Sequence, residues 1–513
     1  MPELRTFTVE EVAKHNKKDD LWIIVDGTVY DLSNFAELHP GGGVVLYDED
    51  VAGKDSTEVF YQLHRHEVLD KYKRYAIGHI EGHKPTVRPF VPGALSDVPY
   101  AEPTWLTPAY SSPYYNEGHR KFQKWFREFC DKEACRLDSC SPEDGKRISD
   151  ECMKKITDIN LHRMRLGPGK HLHGQVLPTG LKGEDFDYFH ELIINQELCR
   201  MSTRGFQDGF LGGMVIGLPP VLNFARPELK EKICNEVFSG KKFISLAISE
   251  AFAGSDVAGL RCTATKSECG KFYIVNGTKK WITNGTFSDY FSTGVRTDAG
   301  LSMLLIERGD GVETKPIKTS YSPTAGTAYI IFEDVKVPVE NLLGEENKGL
   351  QVILSNFNHE RWVMVTAAVR GARTIVEECI KWAVQRKVFG KPLVSQAVIR
   401  NKLAAMISLC ESHQAWLENV TYQMTKMNYK QQSKYLAGQI GLLKASATRA
   451  SHFIADQAVQ ILGGRGITKT GMGSKVENFA RTVKFDAILG GSEEVLMDLG
   501  VRQALRNLPA SKM

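Results

Sequence analysis

The sequence predicts a multidomain protein: a small α+β unit, then a helical domain, a β domain and a C-terminal helical bundle. Three observations support this fold class. A chain of 513 residues is too long for a single hydrophobic core. Five prolines between residues 83 and 105 mark a linker after the first unit. Beyond it, the apolar period changes from helical to alternating and back to helical.

The composition narrows the class of function. With 42% apolar and 25% charged residues, the chain resembles ordinary soluble globular proteins. A net charge of +4, without a run of Lys or Arg, argues against a nucleic-acid partner. No apolar stretch approaches the roughly 18 residues of a membrane-spanning helix. The ten cysteines are scattered without metal-site spacing, which indicates reduced thiols.

The two termini bear on localisation. The N-terminus has the pattern of neither a signal peptide nor a transit peptide. The last three residues, Ser511–Met513, read Ser-Lys-Met, a close variant of the peroxisomal Ser-Lys-Leu address. We therefore expect a peroxisomal protein, with the cytoplasm as the alternative.

Changes in pattern give the expected boundaries. They are a first unit at 4–82, a Pro-rich linker at 83–105, a helical domain at 106–242, a β domain at 243–345, a helical domain at 346–508 and a tail at 509–513. Prolines at this density favour an extended, semi-rigid chain. The first unit could therefore move over the rest or be packed against it.

Local signals predict the elements of the β domain and of the bundle. Asn276-Gly277, between two β-type segments (271–275 and 278–283), is a strong hairpin signal. Further strands are expected at 291–296, 301–306 and 328–332. Long helical patterns then run from about 348 to 508, with breaks near 389–392, 427–432 and 463–473. Several helices of this length usually pack as a bundle.

A haem site is indicated near the N-terminus. Val-Tyr-Asp-Leu (29–32) precedes His-Pro-Gly-Gly (39–42), and this context resembles the cytochrome b5 family. The resemblance implies haem b with His39 as one axial iron ligand. Both His64 and His66 could be the second; counting back from Ile77-Gly78 favours His64. An acidic group could steer a basic partner or simply be a solvated face; it comprises Asp48, Glu49, Asp50, Asp55 and Glu58.

Four separated motifs in the rest of the chain resemble the acyl-CoA dehydrogenase family: residues 247–259, 277–285, Arg-Lys-Val-Phe-Gly at 386–390 and Gln-Ile-Leu-Gly-Gly at 460–464. The resemblance implies FAD and a homodimer or homotetramer, because the counterpart of 460–464 reaches the flavin of a neighbouring subunit. The family often has an aromatic residue where this chain has Leu246. The implied FAD contacts are Leu246, Ile248, Ser249, Trp281, Thr283, Arg386, Phe389, Gln460, Gly463, Gly464, Ser492 and Glu494.

The catalytic base is expected in an unusual place. Many members of the family carry the carboxylate in the loop that here reads Gly490-Gly491-Ser492. Members of the isovaleryl and long-chain types instead place it one residue before an arginine, which Glu360-Arg361 matches. The alternatives for Glu360 are a solvent-exposed helix glutamate or an ion pair, and Glu493 and Glu494 are second choices as base. The implied substrate contacts are Ser255, Asn358 (where an Asp is more usual), Arg361, Gly490 and Gly491.

These motifs predict an oxidoreductase that converts an acyl-CoA to the trans-2-enoyl-CoA, as in fatty-acid β-oxidation. A buried carboxylate removes the α-proton while hydride leaves the β carbon. The electron acceptor is expected to be the chain's own haem, an electron-transfer flavoprotein or O₂. Two alternatives are an acyl-CoA oxidase that uses O₂ and a non-catalytic protein that binds flavin and haem.

Overall fold

A computed structural model describes residues 5–86, 91–134, 148–201, 204–209, 211–320, 323–506 and 508. The Ser-Lys-Met tripeptide lies outside these residues. The chain forms two compact units. The first contains residues 1–91, 378–403 and 461–474, and the second contains 92–377, 404–460 and 475–513.

The first unit is built on a five-stranded sheet of order β1-β5-β4-β3-β2. β3 alternates in the way expected of a strand that is covered on both faces: Leu21, Ile23 and Val25 enter one apolar cluster, and Ile24 enters another with Phe7. The strands are β1 Arg5–Phe7, β2 Asn16–Lys17, β3 Asp20–Val25, β4 Thr28–Asp31 and β5 Ala76–Ile80, and the helices are Val9–Val12, Thr57–Leu63 and Glu67–Tyr72.

The second unit begins with helices, as the sequence predicts for 106–242. They are Glu117–Phe129, Asp150–Asp158, Leu161–Met164, Tyr188–Met201, Arg204–Gly209, Gly212–Phe224 and Pro227–Phe238. Asn116 caps the first of them: its side chain accepts a hydrogen bond from the His119 backbone N–H, and the His119 ring accepts one from the Asn116 N–H. This reciprocal cap satisfies two backbone donors at the start of the helix.

A seven-stranded sheet follows, in the order β10-β9-β7-β8-β12-β11 with β6 paired to β9. The predicted strands at 291–296, 301–306 and 328–332 lie within β9, β10 and β12. The strands are β6 Ile244–Ala247, β7 Thr263–Lys266, β8 Phe272–Ile282, β9 Tyr290–Thr297, β10 Gly300–Glu307, β11 Val312–Pro316 and β12 Ala328–Pro338.

The predicted hairpin at Asn276-Gly277 is wrong, because β8 runs straight through it. The register with β12 shifts at this point, between Phe332 and Val335. The Asn276 side chain exchanges two hydrogen bonds with Asp334, of 3.0 and 2.9 Å. Gly277, at φ +141°, packs so closely on Cys262 that a Cβ would lie 2.7 Å from the Cys262 Cα. The dipeptide therefore forms an irregularity within a paired strand, where a partner strand replaces the turn.

Long helices return after the sheet and break close to the predicted positions. They are Gly349–Leu354, Phe357–Gln385, Ala397–Lys426, Tyr429–Gln431, Ala437–Leu462, Ser474–Thr482, Lys484–Ile488 and Glu493–Arg506. Between the second and third of these, Lys387–Val388 pairs with Lys391–Pro392. Within the described ranges, no helix has both the length and the apolar character that spanning a bilayer requires.

The described parts of the linker are held within the two units. In the first, Asp26 accepts a hydrogen bond of 2.7 Å from the Thr86 backbone. In the second, the Glu102 carboxylate accepts hydrogen bonds from both terminal nitrogens of Arg127, at 2.7 and 2.8 Å. It also accepts one from a terminal nitrogen of Arg370, at 3.2 Å. Arg127 also pairs with Glu197 at 2.8 Å. Residues 92–105 therefore belong to the second unit, where Glu102 is fixed by two arginines.

Candidate active site and haem site

Two histidines of the first unit face each other. The ring centroids of His39 and His64 are 5.9 Å apart and the rings are perpendicular. Because a metal–imidazole bond is about 2 Å long, this separation leaves room for one metal atom. His66 instead contacts the Tyr61 hydroxyl, with 3.0 Å between that oxygen and its Nδ1. The structure therefore pairs His39 with His64.

The surroundings of these rings suit a haem. Burial, together with positive charge at His39 and Arg465, lowers the pKa of His64. A lowered pKa keeps the imidazole neutral, the form that ligates iron. Aromatic rings lie beside both histidines. The ring centroids of Phe35 and His39 are 5.9 Å apart, and those of Phe60 and His64 are 4.9 Å apart. Apolar side chains near both histidines in sequence are exposed, among them Leu38, Val44, Val45, Val59 and Leu63.

Within the first unit, the second histidine is attached to the end of the helix Phe357–Gln385. Gln385 Nε2 donates a 3.2 Å hydrogen bond to the carbonyl of His64. The adjacent Arg65 pairs with Glu378 and donates to the carbonyl of Met472 at 2.6 Å. Glu58, one member of the acidic group, pairs with Lys387. This carboxylate therefore has a basic partner inside its own chain.

The predicted flavin contacts of the second unit lie at the ends of two strands. Leu246 lies on β6, with Ile248 and Ser249 just after it; Trp281 lies on β8, with Thr283 just after it. The Lys280 N–H donates a 2.8 Å hydrogen bond to the Ser249 carbonyl. The two segments are therefore adjacent, and they can present one surface to a planar ring system.

Two features of this surface fit a flavin. Trp281 has a positive φ of 66° and its side chain is 51% exposed, so a large ring is available for contact. Beneath it, the buried Lys279 Nζ pairs with Glu250 at 2.7 Å and donates to the Ile248 carbonyl at 3.0 Å. This ion pair holds the two strand ends together, and no local sequence pattern indicates it.

The remaining predicted flavin contacts are distributed over both units. Arg386, Phe389, Gly463 and Gly464 belong to the first, and Gln460 belongs to the second. Phe389, at φ +50°, is 95% exposed in the turn between Lys387–Val388 and Lys391–Pro392. In the second unit, Ser492 directly precedes the helix Glu493–Arg506, and Glu494 lies in the first turn of that helix. Glu494 and Ser255 are both exposed.

The predicted base and the glycine loop are neighbours in the second unit. Glu360 lies in the first turn of the helix Phe357–Gln385. A Cβ built on Gly490 would lie 3.7 Å from Glu360 Oε1. A carboxylate carried by residue 490 would therefore occupy the same region as the carboxylate of Glu360. The structure brings together the two positions that the sequence analysis treats as alternatives.

The glycine loop is held by two cations. Arg361 Nε donates to the Gly490 carbonyl at 2.8 Å, and Lys444 Nζ donates to the Gly491 carbonyl, also at 2.8 Å. Asn358 contacts Arg361 weakly, at 3.5 Å. Both glycines have positive φ, 65° and 111°, a conformation that glycine adopts without strain. Lys444 was not predicted as a site residue, since nothing in its local sequence sets it apart.

The electrostatics at Glu360 suit a base. Burial raises the pKa of Glu360, and the nearby charges of Arg361, Lys444 and His359 oppose the shift. The other candidates are less suitable. Glu493 accepts a 2.8 Å hydrogen bond from the Thr448 hydroxyl, whereas the side chain of Glu494 is exposed.

Glu360 lines a cavity whose walls are of two kinds. Apolar side chains form one part: Leu198, Val215, Ile216, Val363, Met364 and Ala367. Polar and charged side chains form another: Arg165, Asn195, Arg204, Gln207 and Asp208. Thr283, one of the predicted flavin contacts, also lines it. The sequence analysis did not identify the polar group, because its members come from three separate helical segments.

Comparison with known proteins identifies the family. Residues 8–81 match the cytochrome b5-like heme/steroid binding domain; residues 245–335 and 347–505 match the middle and C-terminal domains of acyl-CoA dehydrogenases. Acyl-CoA dehydrogenase apdG of Emericella nidulans is 38% identical over 435 residues, which cover 82% of this chain and 98% of that protein. The chain therefore belongs to the acyl-CoA dehydrogenase family and carries an N-terminal cytochrome b5-like domain.

Two further relatives agree. Acyl-CoA dehydrogenase AFT10-1 of Alternaria alternata is 34% identical over 430 residues, covering 81% of this chain and 98% of that protein. The crystal structure of an acyl-CoA dehydrogenase from Geobacillus kaustophilus is 25% identical, with a TM-score of 0.67, and the match covers 78% of this chain and all of that one. The predicted fold class, the fusion of the two modules, and the cofactors FAD and haem are confirmed. The chain is an FAD-dependent oxidoreductase.

Proposed function

We propose that Glu360 is the catalytic base that removes the C2 proton of an acyl-CoA, yielding the trans-2-enoyl-CoA. The observation that carries the proposal is the 3.7 Å between Glu360 Oε1 and the Cβ position of residue 490. Burial raises the pKa of this carboxylate and so matches it better to a weakly acidic C–H. When bound, FAD supplies a two-electron hydride acceptor for the hydrogen on C3.

The groups around the base have complementary roles. The backbone N–H of Gly490 is proposed to stabilise the charge that develops on the thioester oxygen. Arg361 and Lys444 hold the loop by its carbonyls, which keeps such a donor preorganised. The apolar wall of the cavity receives the acyl carbons and excludes water from the proton transfer.

The test is the variant Glu360→Gln, which keeps the shape of the side chain and removes the base. In anaerobic mixing with acyl-CoA, we expect flavin bleaching to slow by about 10² to 10⁴-fold while the FAD content stays unchanged. Glu340→Gln, which alters an exposed glutamate outside the predicted site, is the matched control and should bleach at the wild-type rate. Normal bleaching by Glu360→Gln would show that another group is the base.

We also propose that the haem, a one-electron carrier when bound, receives electrons from the flavin. Two observations support this. Gln385, which directly precedes the predicted flavin contact Arg386, donates a hydrogen bond to the carbonyl of His64. Together with burial, the positive charge of Arg465 lowers the pKa of His64, and Arg465 directly follows Gly464 in sequence. The predicted iron ligand and two predicted flavin-binding segments thus belong to one unit.

Stopped-flow spectroscopy tests this transfer. After reduction by acyl-CoA without added acceptor, the haem Soret band should shift to its reduced position. If the flavin is reduced while the band stays oxidised, the electrons leave by another route. An electron-transfer flavoprotein would then restore turnover when added, whereas an oxidase would form one peroxide per enoyl product in air.

We further propose that the protein is a homo-oligomer and a peroxisomal enzyme of fatty-acid breakdown. The family counterpart of 460–464 supports the homo-oligomer, and the C-terminal Ser-Lys-Met supports the peroxisomal localisation. Light scattering of the purified chain tests the first. Imaging a fluorescent N-terminal fusion with and without Ser511–Met513 tests the second, since only the intact fusion should collect in peroxisomes.

A further inference from the structure

The cavity beside Glu360 has a polar end that the oxidation of a plain hydrocarbon chain does not require. Arg165 and Asp208 are each 7% exposed and Asn195 is 2% exposed, and all three line the cavity. Buried polar groups are normally hydrogen-bonded, and those that are not call for an explanation.

Each of these three side chains has an unused polar atom. Arg165 Nε, Asn195 Nδ2 and Asp208 Oδ2 are buried and have no hydrogen-bond partner among the described residues. Three other atoms of these side chains are engaged: Arg165 Nη1 donates to Asn195 Oδ1, and Asp208 Oδ1 accepts from Arg204 at 2.7 Å. Three residues that line the cavity therefore carry two unused donors and one unused carboxylate oxygen.

This polar end lies close to the reaction centre. Met364 is one helical turn after Glu360, and Arg204 Nη2 lies 3.3 Å from its sulfur. Residues four apart on a helix are neighbours on its surface, with Cβ atoms about 5–6 Å apart. Asp208 also lies near the predicted flavin contact Thr283. A Cβ on Gly212 would be 3.5 Å from Asp208 Cβ and 3.6 Å from Thr283 Cγ2. An acyl chain whose C2 meets Glu360 would thus reach the polar group within a few carbons.

The charges around the polar end argue against an anionic group on the substrate. Arg204 already pairs with two carboxylates, Asp208 and Asp486, each at 2.7 Å. Burial lowers the pKa of Arg165, and the negative charges of Glu191 and Asp208 oppose this shift, so two carboxylates also act on this guanidinium. No excess of positive charge is left for a further carboxylate. An uncharged oxygen would accept from Arg165 and Asn195, and a hydroxyl would in addition donate to Asp208.

We infer that the preferred acyl substrate carries an uncharged oxygen, as a hydroxyl or a ketone, on a carbon beyond C3. Arg165, Asn195 and Asp208 bind this oxygen and determine the specificity of the enzyme. The inference rests on the proposed function, because it assumes that the acyl chain enters the cavity lined by Glu360. An oxygen on C3 itself is excluded for a ketone, since that carbon would then have no hydride to lose.

The test is anaerobic flavin reduction by matched thioesters: octanoyl-CoA, its hydroxy and oxo derivatives substituted at C4 or beyond, and the dicarboxylic octanedioyl-CoA. A site built to bind a substrate hydroxyl discriminates strongly against an analogue that lacks it. We expect at least one oxygenated derivative to reduce the flavin with an apparent second-order rate constant about 10²-fold above that of octanoyl-CoA. The dicarboxylic thioester should be the poorest.

The outcomes separate the two proposals. If octanoyl-CoA reduces the flavin as well as every oxygenated derivative does, the inference about specificity is wrong and the proposed function stands. If octanedioyl-CoA is preferred, the site binds an anion and the inference is again wrong. If no thioester reduces the flavin, both fail together.

A pair of variants keeps the test independent of folding. Asn195→Leu removes one unused donor, and Asn478→Leu is the control. Asn478 Nδ2 is also buried and has no partner within the described part of the chain, but Asn478 does not line the cavity. The ratio of rates for oxygenated and plain thioesters is measured on the same protein, so a loss of folded enzyme cancels. This ratio should fall at least about tenfold in Asn195→Leu and stay unchanged in Asn478→Leu. An unchanged ratio in both would exclude Asn195 from specificity.

Discussion

Moving the carboxylate from residue 360 to residue 490 should restore an enzyme that has lost its base. Glu360→Gly removes the base, and Gly490→Glu reintroduces a carboxylate. The Cβ of the new glutamate would lie 3.7 Å from the present position of Glu360 Oε1, within reach of its own side chain. The contacts near this Cβ, Arg361 Cγ at 3.6 Å and Met364 Cγ at 3.8 Å, are ordinary van der Waals distances. The Cβ of the new residue therefore fits without a clash.

The expected magnitude follows from the backbone of the loop. Loss of a general base slows the reaction by about 10² to 10⁴-fold. At position 490, φ is +65°, and a residue with a Cβ pays about 1–2 kcal/mol for this conformation. If this entire free-energy cost disfavours the active conformation of the loop, the rate of the double variant would be about 5- to 30-fold below wild type. The double variant should thus keep about 3–20% of the wild-type rate, above the roughly 0.01–1% expected for Glu360→Gly.

The assay is the rate of flavin bleaching by acyl-CoA without oxygen, normalised to bound FAD. Gly490→Glu alone is a useful third variant, because two adjacent carboxylates share one region and the pKa of the pair rises. Its pH profile should therefore shift to higher pH. A double variant as inactive as Glu360→Gly, with FAD bound, would refute the interchange of the two positions. Full activity in Glu360→Gly would refute the base assignment itself.

Three further predictions concern the base, the haem site and the ion-pair network of the second unit. Because burial raises the pKa of Glu360 and a base acts when deprotonated, flavin reduction should slow as pH falls through a midpoint above the usual glutamate value. A stopped-flow pH series measures it, and a pH-independent rate would contradict it. His64→Ala should abolish the Soret band of the purified protein, whereas His66→Ala should retain it; equal loss in both would overturn the pairing with His39. Arg127→Met leaves Glu197 buried without its main partner, which typically costs about 3–5 kcal/mol. The thermal midpoint should therefore drop by several degrees, and an unchanged midpoint would show that Glu197 finds another partner.

Local sequence was sufficient where a function depends on a short, contiguous motif. His39 follows a strand and precedes three glycines, so its environment is recognisable from the chain alone. The flavin segments at 247–259 and 277–285 are also recognisable from local sequence, because each forms one strand end with the turn that follows it. The resemblance to the two families and the fold class followed from such motifs and are confirmed.

Long-range pairing decided the places where local reasoning failed. Asn276-Gly277 is a turn signal by its residue types, yet β12 lies beside it and its polar groups bond to Asp334. In the linker, prolines indicate an extended chain but not its partners. Glu102 is held by Arg127 and Arg370, which are distant in sequence. A dipeptide or a proline count contains no information about such partners.

The sequence by itself determined that this chain joins a haem module to a flavin-dependent dehydrogenase, and it named Glu360 because Gly490 has no carboxylate. Only the tertiary structure decided that these two residues are neighbours and that Arg165, Asn195 and Asp208 meet in the cavity beside them. The physical reason is that motifs report contacts along the chain. The shape and polarity of a pocket depend instead on side chains that folding brings together from separate helices.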